Sequence, residues 1–338
     1  MNHSDPRTCG RHPMSLAAHL GALAVLLACG APVAFAQTQP AAWPTKPLRL
    51  LVGFPGGSTP DGAARAIAEP LSKALGQPVI VDNKAGASGN IAADQIAKAT
   101  DDHTLGIVIN GNLTSAKMLY PKLPYEPATD FTYLTMVGTA PLILVAQAAA
   151  PSGKAFIDAA RSAGEKWSYG SVGAGSVGHL GMELLKTRVP GMGAMHVPYQ
   201  GNPQVVTAML GKQVEMALVP PGVALPQINA GKLKAIGLTT GRSTLAPDIP
   251  PLADAGVKDF ELEVWTALVG PAKLSAAAKS RLAAVLPGVL QDAAVRQQLF
   301  NQGWQAPATA SAPALQARVA AESKTMQRII SASGIKLQ

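Results

Sequence analysis

The sequence predicts an α/β protein of two lobes, each a mostly parallel sheet flanked by helices. Three observations carry this. Short apolar runs of strand length alternate with longer segments of helical spacing, the pattern of βαβ units. That alternation runs from residue 48 to 109 and restarts at residue 142. Glycine-rich turns then stand where a strand should pass into a helix, at residues 53–61, 85–90 and 173–178.

Taken in order, Pro44 and Pro47 stiffen the entry to the first lobe. Residues 48–54 form an apolar run suited to a buried strand. Residues 62–75 have helical spacing, with Ala63, Ile67, Leu71 and Leu75 recurring every four residues. A strand over 79–81 ends at Asp82-Asn83, and a helix over 91–99 and a strand over 105–109 follow. The second series reads strand 142–146, helix 155–162, strand 167–171, and helix 177–187 after the third turn. Segments 195–197, 205–210, 216–219, 223–230 and 233–238 continue the alternation. Residues 260–269 read as a strand leading back to the first lobe, before an Ala-rich, mostly helical tail over 272–324. The first lobe then comprises 43–141 and 264–338, and the second 142–263.

The first 36 residues read as a secretory leader. Arg7 and Arg11 precede an apolar run over 16–31, and Ala34-Phe35-Ala36 forms an A-x-A site with cleavage after Ala36. The run is broken by His19, Gly21, Gly30 and Pro32 and falls short of a membrane span. A lipoprotein anchor at Cys29 is the alternative. Both cysteines, Cys9 and Cys29, lie in the leader, so the mature chain is expected to have no disulfide, thiol nucleophile or thiolate metal site. Removing Arg7, Arg11 and Asp5 lowers the formal charge of +8 by one. The basic residues are scattered singly without aromatic interleaving, which argues against a nucleic-acid partner. The charge serves solubility or weak steering of anions.

The turns carry the candidate site. A helix start presents unpaired N–H groups at the positive end of the helix dipole, and glycine lets backbone approach a ligand closely. In the first turn Phe54 precedes Gly56 and Gly57, which offer amides, and Ser58 and Thr59, which offer hydroxyls. Asp61 either complements the helix start or touches ligand. Ala87, Ser88 and Asn90 occupy the second turn. Asn110 and Asn112 close a strand at the level where open α/β sheets bind ligands, and turn chemistry explains them equally well.

The third turn, Gly173-x-Gly175-x-x-Gly178, has the context of a dinucleotide fingerprint. The strand after it ends His196-Val197-Pro198-Tyr199-Gln200-Gly201, with no acidic residue for a ribose. An anion-binding helix start explains the same residues. Ser176 is an N-cap that also faces ligand. His179 is a ligand donor or a structural histidine; read with Ser176 as base and nucleophile, it lacks an orienting acid. Tyr199 lines the pocket or packs in the core, and Ser171 and Pro220 complete the candidate set. No histidine–carboxylate cluster has metal-ligand spacing, so neither metal nor cofactor is expected.

These residues resemble the receptors of tripartite tricarboxylate transporters, also called the Bordetella uptake gene (Bug) family. The motifs that carry the likeness include Lys46-Pro47-Leu48-Arg49-Leu50-Leu51-Val52-Gly53-Phe54-Pro55-Gly56-Gly57, Asn83-Lys84-Ala85-Gly86-Ala87-Ser88-Gly89-Asn90-Ile91, Leu119-Tyr120-Pro121-Lys122-Leu123-Pro124-Tyr125 and His196-Val197-Pro198-Tyr199-Gln200-Gly201. The resemblance implies a two-lobed, periplasmic-binding-protein-like fold of type II. It also implies a small carboxylic acid held between residues 54–61 and 173–179, partly through ordered water, with the second turn bordering the cleft.

The implied protein is a periplasmic monomer that closes on a mono- or dicarboxylate and is read by membrane permease subunits. A ligand-presenting accessory of a membrane sensor kinase and an exported α/β enzyme acting on a carboxylate are the alternatives. Three departures alter the pocket wall. Gly56 and Pro60 stand where the family has a second proline and a threonine. Ala85-Gly86-Ala87-Ser88-Gly89 replaces Pro-Gly-Ala-Gly-Gly. The acidic residue usual near Val219-Pro220-Pro221 is absent, which weakens the case for amino-acid ligands.

Overall fold

A computed structural model describes residues 43–335. The leader, with Ala36 and Cys29, lies outside the described residues, as do the last three residues of the chain.

Ten strands form two five-stranded sheets of the same plan. In the first, β1 (Leu48–Val52) pairs in parallel with β2 (Val79–Asn83) and β3 (Thr104–Ile109). β10 (Glu263–Pro271) then runs antiparallel between β3 and β4 (Phe131–Pro141). In the second, β6 (Ser168–Ser171) pairs in parallel with β7 (Met195–Pro198) and β8 (Met216–Val219). β5 (Ile143–Gln147) runs antiparallel between β8 and β9 (Leu233–Leu238).

In each sheet four of the five strands run the same way, as the alternation predicted, and one, β10 or β5, runs against them. Parallel neighbours need a crossover of a dozen or more residues, and the helical segments supply it for β1–β3 and β6–β8. β5 follows β4 of the other sheet almost directly, and β10 returns from the other lobe without a crossover helix, and these are the two strands that run antiparallel to their neighbours. β4 itself escaped the sequence reading, because Phe131–Pro141 is interrupted by Thr132, Thr135, Gly138 and Thr139 rather than forming an apolar run.

Helix α1 (Thr59–Leu75) starts three residues earlier than its periodicity indicated. Pro60 fits there because a first-turn amide needs no helical acceptor, and Gly76 ends the helix in the left-handed conformation. Ala63, Ile67, Leu71 and Leu75 form its buried stripe. Truncating Leu71 to alanine would cost about 2–5 kcal/mol.

α2 (Asn90–Ala97) and the short α3 (Asn110–Leu113) and α4 (Ala116–Leu119) complete the first series. The second series carries α5 (Gly153–Ala163), α6 (Val177–Arg188), α7 (Asn202–Leu210) and α8 (Pro221–Asn229). The tail is three helices, α9 (Ala276–Gln291), α10 (Ala293–Asn301) and α11 (Ala312–Ser333). α11 packs on β4 of the first lobe and on α6 of the second.

Among the described residues no helix is long and apolar enough to cross a membrane. All six residues of β3 are buried, as expected of a central strand covered on both faces. In both lobes the carboxyl ends of the parallel strands lead into the helix starts, which brings those starts to one cleft.

Candidate ligand cleft

A cavity of about 30 Å³ lies between the lobes. Helix starts supply its polar wall: Ser58, Thr59 and Pro60 of α1, Ser176, Val177 and Gly178 of α6, Asn202 of α7, and Pro220 before α8. First-turn amides have no intrahelical acceptor, and each helix directs its positive end inward. Phe54, Ile109 and Val264 from the first lobe and Leu142, Val172 and Leu218 from the second supply the apolar wall. No lining side chain carries a charge. An anion here would be held by backbone dipoles and hydroxyls, with hydrocarbon around its body.

Ser58 holds the N-cap position of α1, yet its side chain caps no amide. Its Oγ is buried and has no hydrogen-bond partner. A buried hydroxyl left unpaired costs about 1–3 kcal/mol, so this one is available to a ligand oxygen. Thr59 Oγ1 accepts from Asn202 Nδ2 of the other lobe at 3.2 Å.

Asp61 turns away from the cavity. Its carboxylate accepts from the Gly57 amide at 2.9 Å, from Arg65 Nε at 3.0 and 3.1 Å, and from Asn83 Nδ2 at 3.0 Å. Burial opposes its charge, but the Arg65, Gly57 and Asn83 hydrogen bonds together hold the carboxyl below its ordinary value. Asn83 also donates to the Phe54 carbonyl at 2.9 Å, so Asp61 and Asn83 shape the turn from behind. Gly56 and Gly57 are exposed, and the Gly57 amide is already used.

The third turn is stabilised from inside its own lobe. Ser176 Oγ donates to Gly173 O at 2.7 Å and accepts from the His179 amide at 3.3 Å. His179 Nδ1 accepts from the Gly175 amide at 3.1 Å. The His179 ring lies 4.2 Å from that of His196, which stacks 5.0 Å from Tyr169. His196 Nε2 lies 2.6 Å from Ser171 Oγ, and Ser171 Oγ accepts from the Gly173 amide at 3.1 Å. Burial, with a smaller effect of Lys186, depresses His179 to about 4. Burial and the neighbouring His179 depress His196 to about 3. Both rings are neutral at pH 7. The Ser176 hydroxyl and the His179 ring share no hydrogen bond, so they do not form a nucleophile–base pair.

The asparagines serve the first lobe. Asn112 donates to Ser88 O at 3.0 Å and Asn90 Oδ1 at 2.8 Å, and accepts from the Ile109 amide at 3.1 Å. Asn90 Oδ1 also accepts from Tyr125 at 2.7 Å. Asn110 donates to Glu322 Oε1 at 2.6 Å and to Glu263 O at 3.1 Å. The second turn packs directly behind the first: a Cβ on Gly53 would lie 2.5 Å from Gly89 Cα.

Of the residues read from sequence, the fold brings Phe54, Ser58, Thr59, Ser176 and Pro220 to the cavity. Ser88, Asn90, Asn112 and Gly175 border a tightly closed cleft beside it. Gly56, Gly57, Asp61, Ala87, Asn110, Ser171, His179 and Tyr199 line neither. Tyr199 is half-buried against the second-lobe core. Sequence reasoning missed Asn202 and, apart from Phe54, the apolar wall. Gly201-Asn202-Pro203, a turn signal after a strand, pointed to Asn202; the wall residues look like any core strand. Among the described residues no group of three or more His, Cys, Asp or Glu is placed to hold a metal ion. A far larger open groove, about 1040 Å³, lies away from the helix starts, beside the carboxyl end of α6 and α11.

Two mixed α/β sheets with helix starts converging on the cleft between them define the class of the bilobal solute-binding proteins. The chain belongs to the tripartite tricarboxylate transporter family receptors, whose family model matches residues 63–335. It is 35% identical to a UPF0065 protein of Bordetella pertussis over 77% of this chain and 79% of the relative. It is 31% identical to protein BugT of the same organism over 88% of this chain and 92% of that one. Among solved structures, the periplasmic binding protein BugD matches with TM-score 0.82 and 27% identity over 88% of this chain and all of that one. A Rhodopseudomonas palustris protein with adipate matches with TM-score 0.81 and 30% identity over 87% of this chain and 99% of that one. MatC from Rhodopseudomonas palustris, with bound malate, matches with TM-score 0.76 and 28% identity over 86% of this chain and 98% of that one. Fold and family together support a solute-binding role.

Proposed function

We propose that this chain is a periplasmic solute-binding protein that captures a small organic carboxylate between its lobes and delivers it to a membrane permease. One observation carries the reading: helix starts from both lobes, with the unpaired Ser58 hydroxyl, converge on a cavity that has no charged side chain. Each helix start contributes about 0.3–1 kcal/mol toward an anion, and up to about 2 kcal/mol where water is excluded. The six apolar wall residues favour a carboxylate carried on an apolar body over a densely charged acid. The two solved relatives that hold adipate and malate are consistent with the carboxylate class.

The chain crosses between sheets after β4 and at the start of β10, and we place the lobe boundaries at 141/142 and, one residue into β10, at 263/264. Ligand touching both lobes stabilises the closed form, which the permease reads. Export by the leader places the binding event in the periplasm, and the ligand leaves chemically unchanged.

A thermal-shift screen tests this. Aliphatic and aromatic monocarboxylates, with malate and adipate beside them, are added at millimolar concentration. Binding to the folded state raises the melting temperature, with the largest shifts from acids of apolar body. No shift from any carboxylate overturns the reading, and chromatographic turnover of a bound acid replaces it with the enzyme alternative.

A further inference from the structure

We propose that a hydroxyl latch and a pair of facing glycines, none of them lining the ligand cavity, set how stably the two lobes close. The proposal rests on the bilobal solute-binding reading and adds positioning residues to it.

The latch consists of three hydroxyls of the first lobe that donate to two carbonyls of the second-lobe glycine turn. Ser88 Oγ donates to Ala174 O at 2.9 Å, and Tyr120 OH donates to the same oxygen at 2.8 Å. Ser115 Oγ donates to Gly175 O at 2.7 Å. The Gly175 amide, on the other side of the first of these peptides, is held by His179. The turn is thus gripped by both lobes, its carbonyls from one and its amide from the other.

The glycines provide independent support from the far side of the cleft. A Cβ on Gly222, near the start of α8, would overlap the Gln302 carbonyl of the first lobe and lie 2.8 Å from its carbon. Gly303 faces Gly222 as closely in return. Gly222 has no left-handed φ, and the three atoms nearest to its added Cβ all belong to the first lobe. Its backbone conformation therefore does not call for glycine, and alanine is the better helix former. What does call for it is the approach of the other lobe. Latch and glycine contact together weight the closed form, and apparent affinity follows the fraction of molecules that can close.

The test measures lobe separation with no acid added, so it is independent of ligand identity. Cysteines replace the exposed Glu69 and Lys154, one in each lobe, and carry spin labels for a distance distribution. Gly222→Ala is expected to shift the distribution to longer distances while the melting temperature is kept or raised. An unchanged distribution in a folded Gly222→Ala protein overturns the proposal. If that variant does not fold, Ser88→Ala combined with Tyr120→Phe decides in the same way: longer distances support the latch and an unchanged distribution overturns it. Failure of the carboxylate screen leaves this measurement intact, so the two readings fail separately.

Discussion

His179 Nδ1 accepts the Gly175 amide at 3.1 Å, so a neutral imidazole holds the backbone of the turn that faces the first lobe. A protonated ring has no acceptor and would have to release that amide. The ring is buried between His196 and the α6 start, near Lys186, which pairs with Glu183 at 2.9 Å. Its proton affinity is depressed to about 4, against 6.5 in an unfolded chain. His196, depressed to about 3, behaves likewise.

The sign of the pH effect follows. Between the unfolded and folded values the unfolded chain binds more protons, so stability rises with pH in that window. It is fully present above about 6.5, declines as pH falls, and the decline ends near 4 for His179 and near 3 for His196. The shift on His179 corresponds to on the order of 3 kcal/mol. Urea unfolding at pH 7, 5.5 and 4.5 should show the loss, and His179→Gln should flatten it. Equal midpoints for the parent protein across that range would contradict the assignment.

Ser58 gives the opposite balance of stability and binding. Its hydroxyl is buried and unpaired, and the residue lines the cavity. Ser58→Ala removes that burden from the folded state, so urea unfolding should show stability kept or raised. Binding of the acid selected by thermal shift should weaken by about 1–3 kcal/mol on calorimetry. Lower stability with unchanged affinity would make Ser58 a structural residue.

Asp61 is predicted to act on the fold alone. Asp61→Ala removes the buried carboxylate that accepts from the Gly57 amide, Asn83 and Arg65 and should destabilise by about 1–3 kcal/mol. Arg65→Ala removes an exposed partner and should cost less than about 1 kcal/mol. A larger effect at Arg65 than at Asp61 in denaturant titrations would refute this division.

Much of this fold was legible because glycine and helix-start residues report backbone needs directly. The turns at 53–61, 85–90 and 173–178 all lie at or beside the cleft, and the first two overlap segments that carry the family resemblance. What stayed hidden has physical reasons. β4 alternates apolar residues with threonine and glycine, and its Gly138 accommodates the ring of Trp304, a partner far along the chain. Leu142, Val172 and Leu218 line a cavity, yet in sequence they are core strand residues, because hydrocarbon packs on ligand and on protein by the same rule. Asn110 and Asn112 could face ligand or turn by sequence; partners in their network, Glu322 bonded to Asn110 and Tyr125 bonded to Asn90 and to the Asn112 carbonyl, are not adjacent in sequence. Ser115 sat in no motif, and Tyr120 sat in a family motif with no role read for it, since their carbonyl partners belong to the other lobe.

Ser176 makes the final contrast, because it is an N-cap like Ser58 but a satisfied one. Its oxygen accepts from the His179 amide and its proton goes to Gly173 O. Ser176→Ala therefore loses a working cap, which costs about 1 kcal/mol. Ser176→Gly should cost only a few tenths, since glycine tolerates the cap conformation. Neither replacement supplies a hydroxyl to a ligand, so comparing them separates the two roles. If Ser176 also donates to bound carboxylate after its hydroxyl rotates, both variants should lose affinity by a similar factor on calorimetry while only the alanine loses stability. If Ser176 acts through the helix start alone, the glycine variant should bind as the parent does. The satisfied hydrogen bonds favour that second pattern, in which the unpaired Ser58 hydroxyl is the one proposed to meet the acid.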